Sequence, residues 1–216
     1  MFYFVGSIRK FVIKESDILN AAEAHAREIL WRELPEKITY HSINHTIDVV
    51  QSALEIGRKN NLSEEELEIL QISAWFHDLG YARVAESHEE VGADMAKDFL
   101  ERHNYSEENI QSVVGCIMAT QMPQNPQNAL EQILCDADLM HLASEDYFSK
   151  ADLLHKEIEY TKSCKISEKE WLEMNENFLN QHCFFTDYAK EKYESAVKEN
   201  LKKVSQRLQS WVKNKK

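Results

Sequence analysis

Three prolines and five glycines are the only strong backbone breakers in a chain of 216 residues. Proline removes a donor and clashes with the preceding turn, and glycine costs about 1 kcal/mol in a helix interior. A chain this poor in both can run as consecutive helices. Its apolar residues keep the matching period. Ile18, Ala22, Ile29 and Leu30 share one face, as do Ile43, Ile47, Val50 and Leu54, then Val91, Met95 and Phe99, then Ile110, Val113, Val114 and Ile117. Helix starts are marked too. Ser63-Glu64-Glu65-Glu66, Ser87-His88-Glu89-Glu90 and Ser167-Glu168-Lys169-Glu170 read as capping boxes, and Ser106 as an N-cap. Stops fall at Pro35, at Asn60-Asn61 and near Thr120-Gln121-Met122-Pro123, with Pro126 keeping the next stretch irregular. The expected fold is all-α. Residues 1–13 lean toward β and read as a strand, an arm or a frayed end, with helix expected from about Lys14.

Acidic residues outnumber basic ones 37 to 25, a net charge of -12, which repels nucleic-acid backbones and argues against a nucleic-acid partner. A small anionic substrate is still compatible, because a bound divalent cation dominates its local field. Cys116, Cys135, Cys164 and Cys183 form no Cys-x-x-Cys pair, so neither a zinc finger nor a disulfide framework is expected. The apolar start is too short for a membrane span and follows no basic region. A cytoplasmic protein with no membrane partner is the expectation.

The residues able to carry chemistry gather at predicted helix ends. An apolar run, Ile72 to Phe76, leads into His77-Asp78 and stops near Gly80, which suits the left-handed close of many helices. Neighbours inside a helix point about 100° apart, whereas at a helix end an imidazole and a carboxylate can turn to one cation. Upstream, Tyr40-His41-Ser42-Ile43-Asn44-His45 sets two histidines four apart, on one face if the helix starts early enough. That spacing suits two ligands, or one ligand and one proton donor. Downstream, Asp136 and Asp138 lie in an apolar stretch, where carboxylates are costly unless paired or metal-bound. Two apart on a helix they point about 200° apart, so at most one should face a given centre.

His45, then His77-Asp78, then Asp138 resembles the H…HD…D pattern of HD-domain metal-dependent phosphohydrolases. The Tyr-His-x-x-x-His form of the first motif is similar to the cyclic-nucleotide phosphodiesterase branch of that superfamily. Trp171 and His182-Cys183-Phe184-Phe185-Thr186 further resemble a bacterial subgroup of predicted HD phosphohydrolases. The resemblance implies an HD-type helical bundle with additional C-terminal helices. An arm and first helix would occupy residues 1–24, a metal-binding core 25–145, and a helical extension packed on that core 146–216. It implies His45, His77, Asp78 and Asp138 as metal ligands, with Asp138 preferred over Asp136 because an alanine precedes the family's final aspartate. It further implies His41 as the histidine that protonates the leaving oxygen, and Asp78 at the catalytic centre. Two departures stand out. His88 matches one of two further histidines that hold a second metal in many HD proteins, but Met118-Ala119-Thr120-Gln121 occupies the place of the other. Ala82 stands where some nucleotidases of the superfamily carry an acidic glutamate. One tightly held metal is therefore expected, with at most a weaker second near His88.

Two imidazoles and two carboxylates suit Mn²⁺, Fe²⁺, Zn²⁺, Co²⁺ or Ni²⁺ better than Mg²⁺, which prefers oxygen ligands. Such a cation acidifies bound water, in zinc enzymes to roughly pKa 7, and offsets charge on phosphoryl oxygens. The expected activity is hydrolysis of a nucleotide or other small phosphate ester, monoester or diester. The alternatives are an HD-type dinuclear-iron oxygenase, which the missing histidine disfavours, and a non-catalytic module tied together by its metal. Arg83 reads as exposed, and His141 is the only remaining histidine placed to support the centre. Val197, Leu201, Val204, Leu208 and Trp211 form a narrow stripe on a charged helix, expected to pack on the protein's own core, with a homodimer seam as the second reading.

Overall fold

A computed structural model describes residues 17–214, among which nine α-helices and two short 3-10 turns occur and no strand. The helices are α1 (Asp17–Glu33), α2 (Ile43–Lys59), α3 (Glu64–Phe76), α4 (His88–Arg102), α5 (Glu107–Ala119), α6 (Ala129–Asp138), α7 (Tyr147–Thr161), α8 (Glu168–Gln181) and α9 (Asp187–Asn214). The 3-10 turns, Leu79–Ala82 and Leu139–Ala143, follow α3 and α6. The N-terminal arm and the helix start near Lys14 lie outside the described residues.

The centre of the protein is α3. After its first turn only half-buried Glu68 and Gln71 interrupt a sequence whose Leu67, Ile69, Leu70, Ile72, Ala74, Trp75 and Phe76 are all buried. A helix of that kind must be surrounded rather than laid on a surface. Leu70 and Ala74 face a core shared with α2, α6 and the C-terminal helices, while Ile69, Ile72, Trp75 and Phe76 face a second core built with α1, α4 and α5. The stripe on α9 packs into the first core through Val197 and Val204, with Leu201 and Leu208 against its margin.

The Ser63 and Ser167 capping boxes form in full, and Ser106 and Asn128 each accept a backbone N–H at their helix starts. Two local expectations fail. Ser87 has φ 57° and makes no side-chain cap, so no capping box opens α4. An N-cap side chain reaches the first turn from extended backbone, and the left-handed conformation turns it elsewhere. Gly80, for its part, is not left-handed, since none of the described glycines has positive φ. It sits in the 3-10 turn for want of room: a Cβ there would lie 2.0 Å from the His88 carbonyl oxygen. Gly92 completes the same contact, its Cβ position being 2.7 Å from the Phe76 carbonyl oxygen. Together the two glycines let α4 press directly on the turn that carries His77 and Asp78.

Candidate metal centre

Four side chains from three helix ends meet beside this contact. His45 lies in the first turn of α2, His77 and Asp78 follow α3, and Asp138 is the last residue of α6. One ligand atom from each lies within 4.8 Å of all the others, the only such cluster of three or more His, Cys, Asp or Glu among the described residues. His45 Nε2 stands 3.2 Å from both Asp78 Oδ2 and Asp138 Oδ1. His77 Nε2 stands 3.1 Å from Asp78 Oδ2 and 3.6 Å from Asp138 Oδ1. Atoms held about 2.1 Å from one ion in tetrahedral or octahedral array lie roughly 3.0–3.4 Å apart.

Hydrogen bonding accounts for only part of the cluster, joining His45 Nε2 to Asp138 Oδ1. His77 Nε2 and Asp78 Oδ2 are buried and have no hydrogen-bond partner, despite their proximity. Such groups are costly inside a protein unless something else satisfies them. The His77 ring donates from Nδ1 to the Ala74 carbonyl at 2.8 Å, which leaves its Nε2 lone pair directed at the cluster. The residues present therefore fit a divalent cation. Charge points the same way. Burial opposes ionisation throughout, yet the two carboxylates hold His45 above its usual pKa and His77 well above it. Asp78 and Asp138, in turn, lie well below the carboxylate range against the same burial, because the histidines offset their charge. The cluster requires positive charge, and protons or a metal ion can supply it.

The two histidines of the first motif separate cleanly. His41 and His45 do not share a helix face, because α2 starts at Ile43 with Ser42 extended as its N-cap. Glu157 of α7, buried and 2% exposed, holds that pre-helical segment. Its carboxylate accepts the backbone N–H of Tyr40 at 2.8 Å and of His41 at 3.2 Å, and it meets His41 Nδ1 in a short contact. Burial alone would raise the Glu157 pKa, but these bonds, led by that to the His41 ring, keep it lowered. With Nδ1 donating to Glu157, Nε2 remains available to a cavity of about 630 Å³ that His41 lines together with Asp78 and Asp138. The His41 ring also stacks on Tyr81 at 4.2 Å, and Tyr81 on His88 at 3.9 Å.

Asp136 and Asp138 diverge as their spacing requires. Asp136 turns away and accepts the backbone N–H of Phe185 at 2.7 Å, that of Thr186 at 2.8 Å and the Thr186 hydroxyl at 2.7 Å. It braces the segment His182–Thr186 that leads into α9. His88 Nε2 lies 3.4 Å from Asp78 Oδ1, the other oxygen of the carboxylate that meets His45 and His77 through Oδ2. Thr120 turns its hydroxyl back to the Ile117 carbonyl at 2.7 Å. His141 is buried beside His45 and donates from Nδ1 to the Asp138 carbonyl at 3.2 Å, with burial holding its pKa down to about 3. Arg83 pairs with Glu33 at the surface.

Sequence reasoning missed Glu157 and Tyr81. A signal for Glu157 existed: it falls on the face marked by Ala151, Leu154 and Ile158, where a carboxylate is out of place unless partnered.

The model of the HD domain family matches residues 42–143, from the N-cap of α2 through the turn after α6. No curated protein matches the chain. Among solved structures it is similar to a predicted HD superfamily hydrolase from an uncultured Thermotogales bacterium, at 20% identity and TM-score 0.58 over 90% of this chain and 91% of that one. A protein from Lactobacillus plantarum shares 16% identity, with TM-score 0.67 over 90% and 97% of the two chains. Bacillus subtilis YpgQ, solved in complex with ADP, shares 16% identity, with TM-score 0.63 over 89% and 97%. At these identities the likeness is one of fold.

Proposed function

We propose that this HD-domain protein is a metal-dependent phosphohydrolase acting on a nucleotide or another small phosphate ester. The observation that carries the reading is the pair of buried, unpartnered atoms, His77 Nε2 and Asp78 Oδ2, directed into a four-residue cluster that opens on a cavity lined by His41. A cation held there supplies Lewis acidity, which acidifies water and offsets negative charge on phosphoryl oxygens. The donor set suits Mn²⁺, Fe²⁺, Zn²⁺, Co²⁺ or Ni²⁺.

The chain's own residues supply the rest. Glu157 fixes the ring of His41 so that Nε2 faces the cavity, where a proton on that atom passes to the leaving oxygen, a contribution on the order of 10²–10⁴ in rate. Tyr81 keeps the His41 ring from tilting by stacking on it. Beyond the cluster a second cation would find His88 and Asp78 Oδ1, with Thr120 in place of a further imidazole. One tightly held metal follows. The ADP bound to YpgQ supports testing nucleotides first.

The test is metal analysis of the purified protein together with a panel of nucleotides and general phosphatase substrates. One equivalent of transition metal with metal-dependent release of phosphate or of a nucleoside monophosphate is expected. Tight metal without turnover would leave a structural module, and oxygen uptake with two irons would make the protein an oxygenase.

A further inference from the structure

The cavity beside the metal cluster has two ends of opposite character. One is polar, with His41, Asp78, Asp138 and Glu157. The other runs between α7 and α8 and is walled by Leu154, Ile158, Trp171, Met174 and Phe178. Of its polar groups, Asn175 and Thr161 are already committed, the Thr161 hydroxyl to the Glu157 carbonyl at 3.0 Å, while Lys162 stands exposed at the rim. The Asn175 amide donates to the Trp171 carbonyl at 2.7 Å, and its oxygen accepts the Tyr147 hydroxyl at 2.5 Å. Trp171 is 8% exposed and is held from behind by the His155 ring, stacked at 4.7 Å with 6° between planes. Met174 and Phe178 are 46% and 36% exposed, leaving apolar surface beside the cavity that a ligand could cover. A polar alcohol would find few partners on such a wall, whereas a flat or greasy one would gain by displacing water.

Charge sets a second limit. The lysines lining the cavity are Lys150 and Lys162, and Lys150 is tied to Asp48 at 3.0 Å and Asp146 at 3.5 Å. Of the five lining carboxylates, Asp78 and Asp138 belong to the cluster and Glu157 to His41, which leaves Glu86 and Glu89 near the α4 start to face a longer phosphate chain. A single phosphoryl group can be balanced by one cation at the cluster, but a polyphosphate chain would lie against carboxylates with little to offset it. We infer that the substrate carries one phosphoryl group on a bulky apolar or aromatic alcohol, seated against the α8 wall, and that Met174 and Phe178 set this preference. The inference rests on the phosphohydrolase reading above.

The experiment compares the metal-loaded full chain on esters matched in leaving group, both primary alkoxides: 2-(1-naphthyl)ethyl phosphate against glycerol phosphate, and AMP against ADP and ATP. The naphthyl ester should exceed the glycerol ester in kcat/KM on the order of tenfold to a hundredfold, the range expected for burying one aromatic group. AMP should exceed ADP and ATP. In Phe178→Ala and Met174→Ala the naphthyl-to-glycerol ratio should fall below about threefold. The loss should come from a raised KM for the naphthyl ester at retained kcat, and Phe178→Leu should recover most of it. Both side chains are partly exposed, so one of the two variants can stand in if the other folds poorly. A ratio near one, an unchanged ratio in both variants, or faster hydrolysis of ATP than of AMP would overturn the inference. If no ester turns over, the hydrolase reading falls, and calorimetric binding of the same two esters decides the pocket. Tighter binding of the naphthyl ester, weakened by the variants, sustains the pocket, and equal binding ends it.

Discussion

Asp136 and Asp138 offer the sharpest test of the centre, because two residues of identical type and nearly identical sequence position are given opposite jobs. In Asp136→Asn one oxygen can still accept from Phe185, but the new amide NH₂ replaces the oxygen that accepts from Thr186 N at 2.8 Å and Thr186 Oγ1 at 2.7 Å. The hydroxyl can turn and accept. The backbone N–H cannot, so it is left facing another donor. A hydrogen bond to a charged group contributes about 1.5–3 kcal/mol, and an opposed buried donor costs further. Against this, burial raises the Asp136 pKa, so the carboxylate is itself costly and the neutral amide relieves part of the loss. The net expectation is about 2 kcal/mol of destabilisation. For a chain of this size that lowers Tm by roughly 4–8 °C.

Asp138→Asn should behave in reverse. It removes a candidate ligand and leaves the brace of His182–Thr186 intact. Its metal affinity should fall by more than about a hundredfold, since even partners outside the ligand sphere cost ten- to a hundredfold when lost. Thermal melts of metal-free protein with and without Mn²⁺ separate the two. Wild type and Asp136→Asn should both gain Tm on adding metal, because an ion bound only by the folded state stabilises it. Asp138→Asn should show little gain while starting near the wild-type metal-free Tm. Should Asp136→Asn lose the metal response at an unchanged starting Tm, the assignment of the two carboxylates is wrong.

His41→Ala should keep its metal and its fold, at some loss of Tm because buried Glu157 loses its ring partner, but lose turnover by on the order of 10²–10⁴ on esters with alkoxide leaving groups, while a nitrophenyl ester, which needs little protonation, is largely spared. Glu157→Gln should show the same leaving-group dependence in weaker form; a loss equal on both ester types would mean that Glu157 acts on the fold and not through His41. Gly80→Ala places a Cβ 2.0 Å from the His88 backbone, so it should cost about 1–3 kcal/mol. In Gly115→Ala the new Cβ instead meets only the Glu131 carboxylate at 3.1 Å, the end of a flexible side chain, and the helix gains up to about 1 kcal/mol. Paired thermal melts in which Gly115→Ala is the worse of the two would refute this reading of the α3–α4 contact.

Much of the fold was legible in the residue order because helix formation is local. Breaker scarcity, three-and-four spacing and Ser-to-Glu capping pairs act over a few residues, and the Ser63 and Ser167 boxes form as their sequence predicts. The Ser87 box did not, because the packing of α4 on the Gly80 turn places Ser87 at φ 57°. Residue type and order likewise marked His45, His77, Asp78 and Asp138 as a set, and helical geometry already required that Asp136 and Asp138 diverge. Which aspartate faces the cluster, and that His41 stands outside α2, depend on partners far away in the chain. Thr186 lies 50 residues from Asp136, and Glu157 lies 116 from His41. No local period carries that information. The sequence alone determined which side chains were available to hold a metal ion and move a proton, and the packing of α6, α7 and the segment before α9 decided which of them faces the cavity.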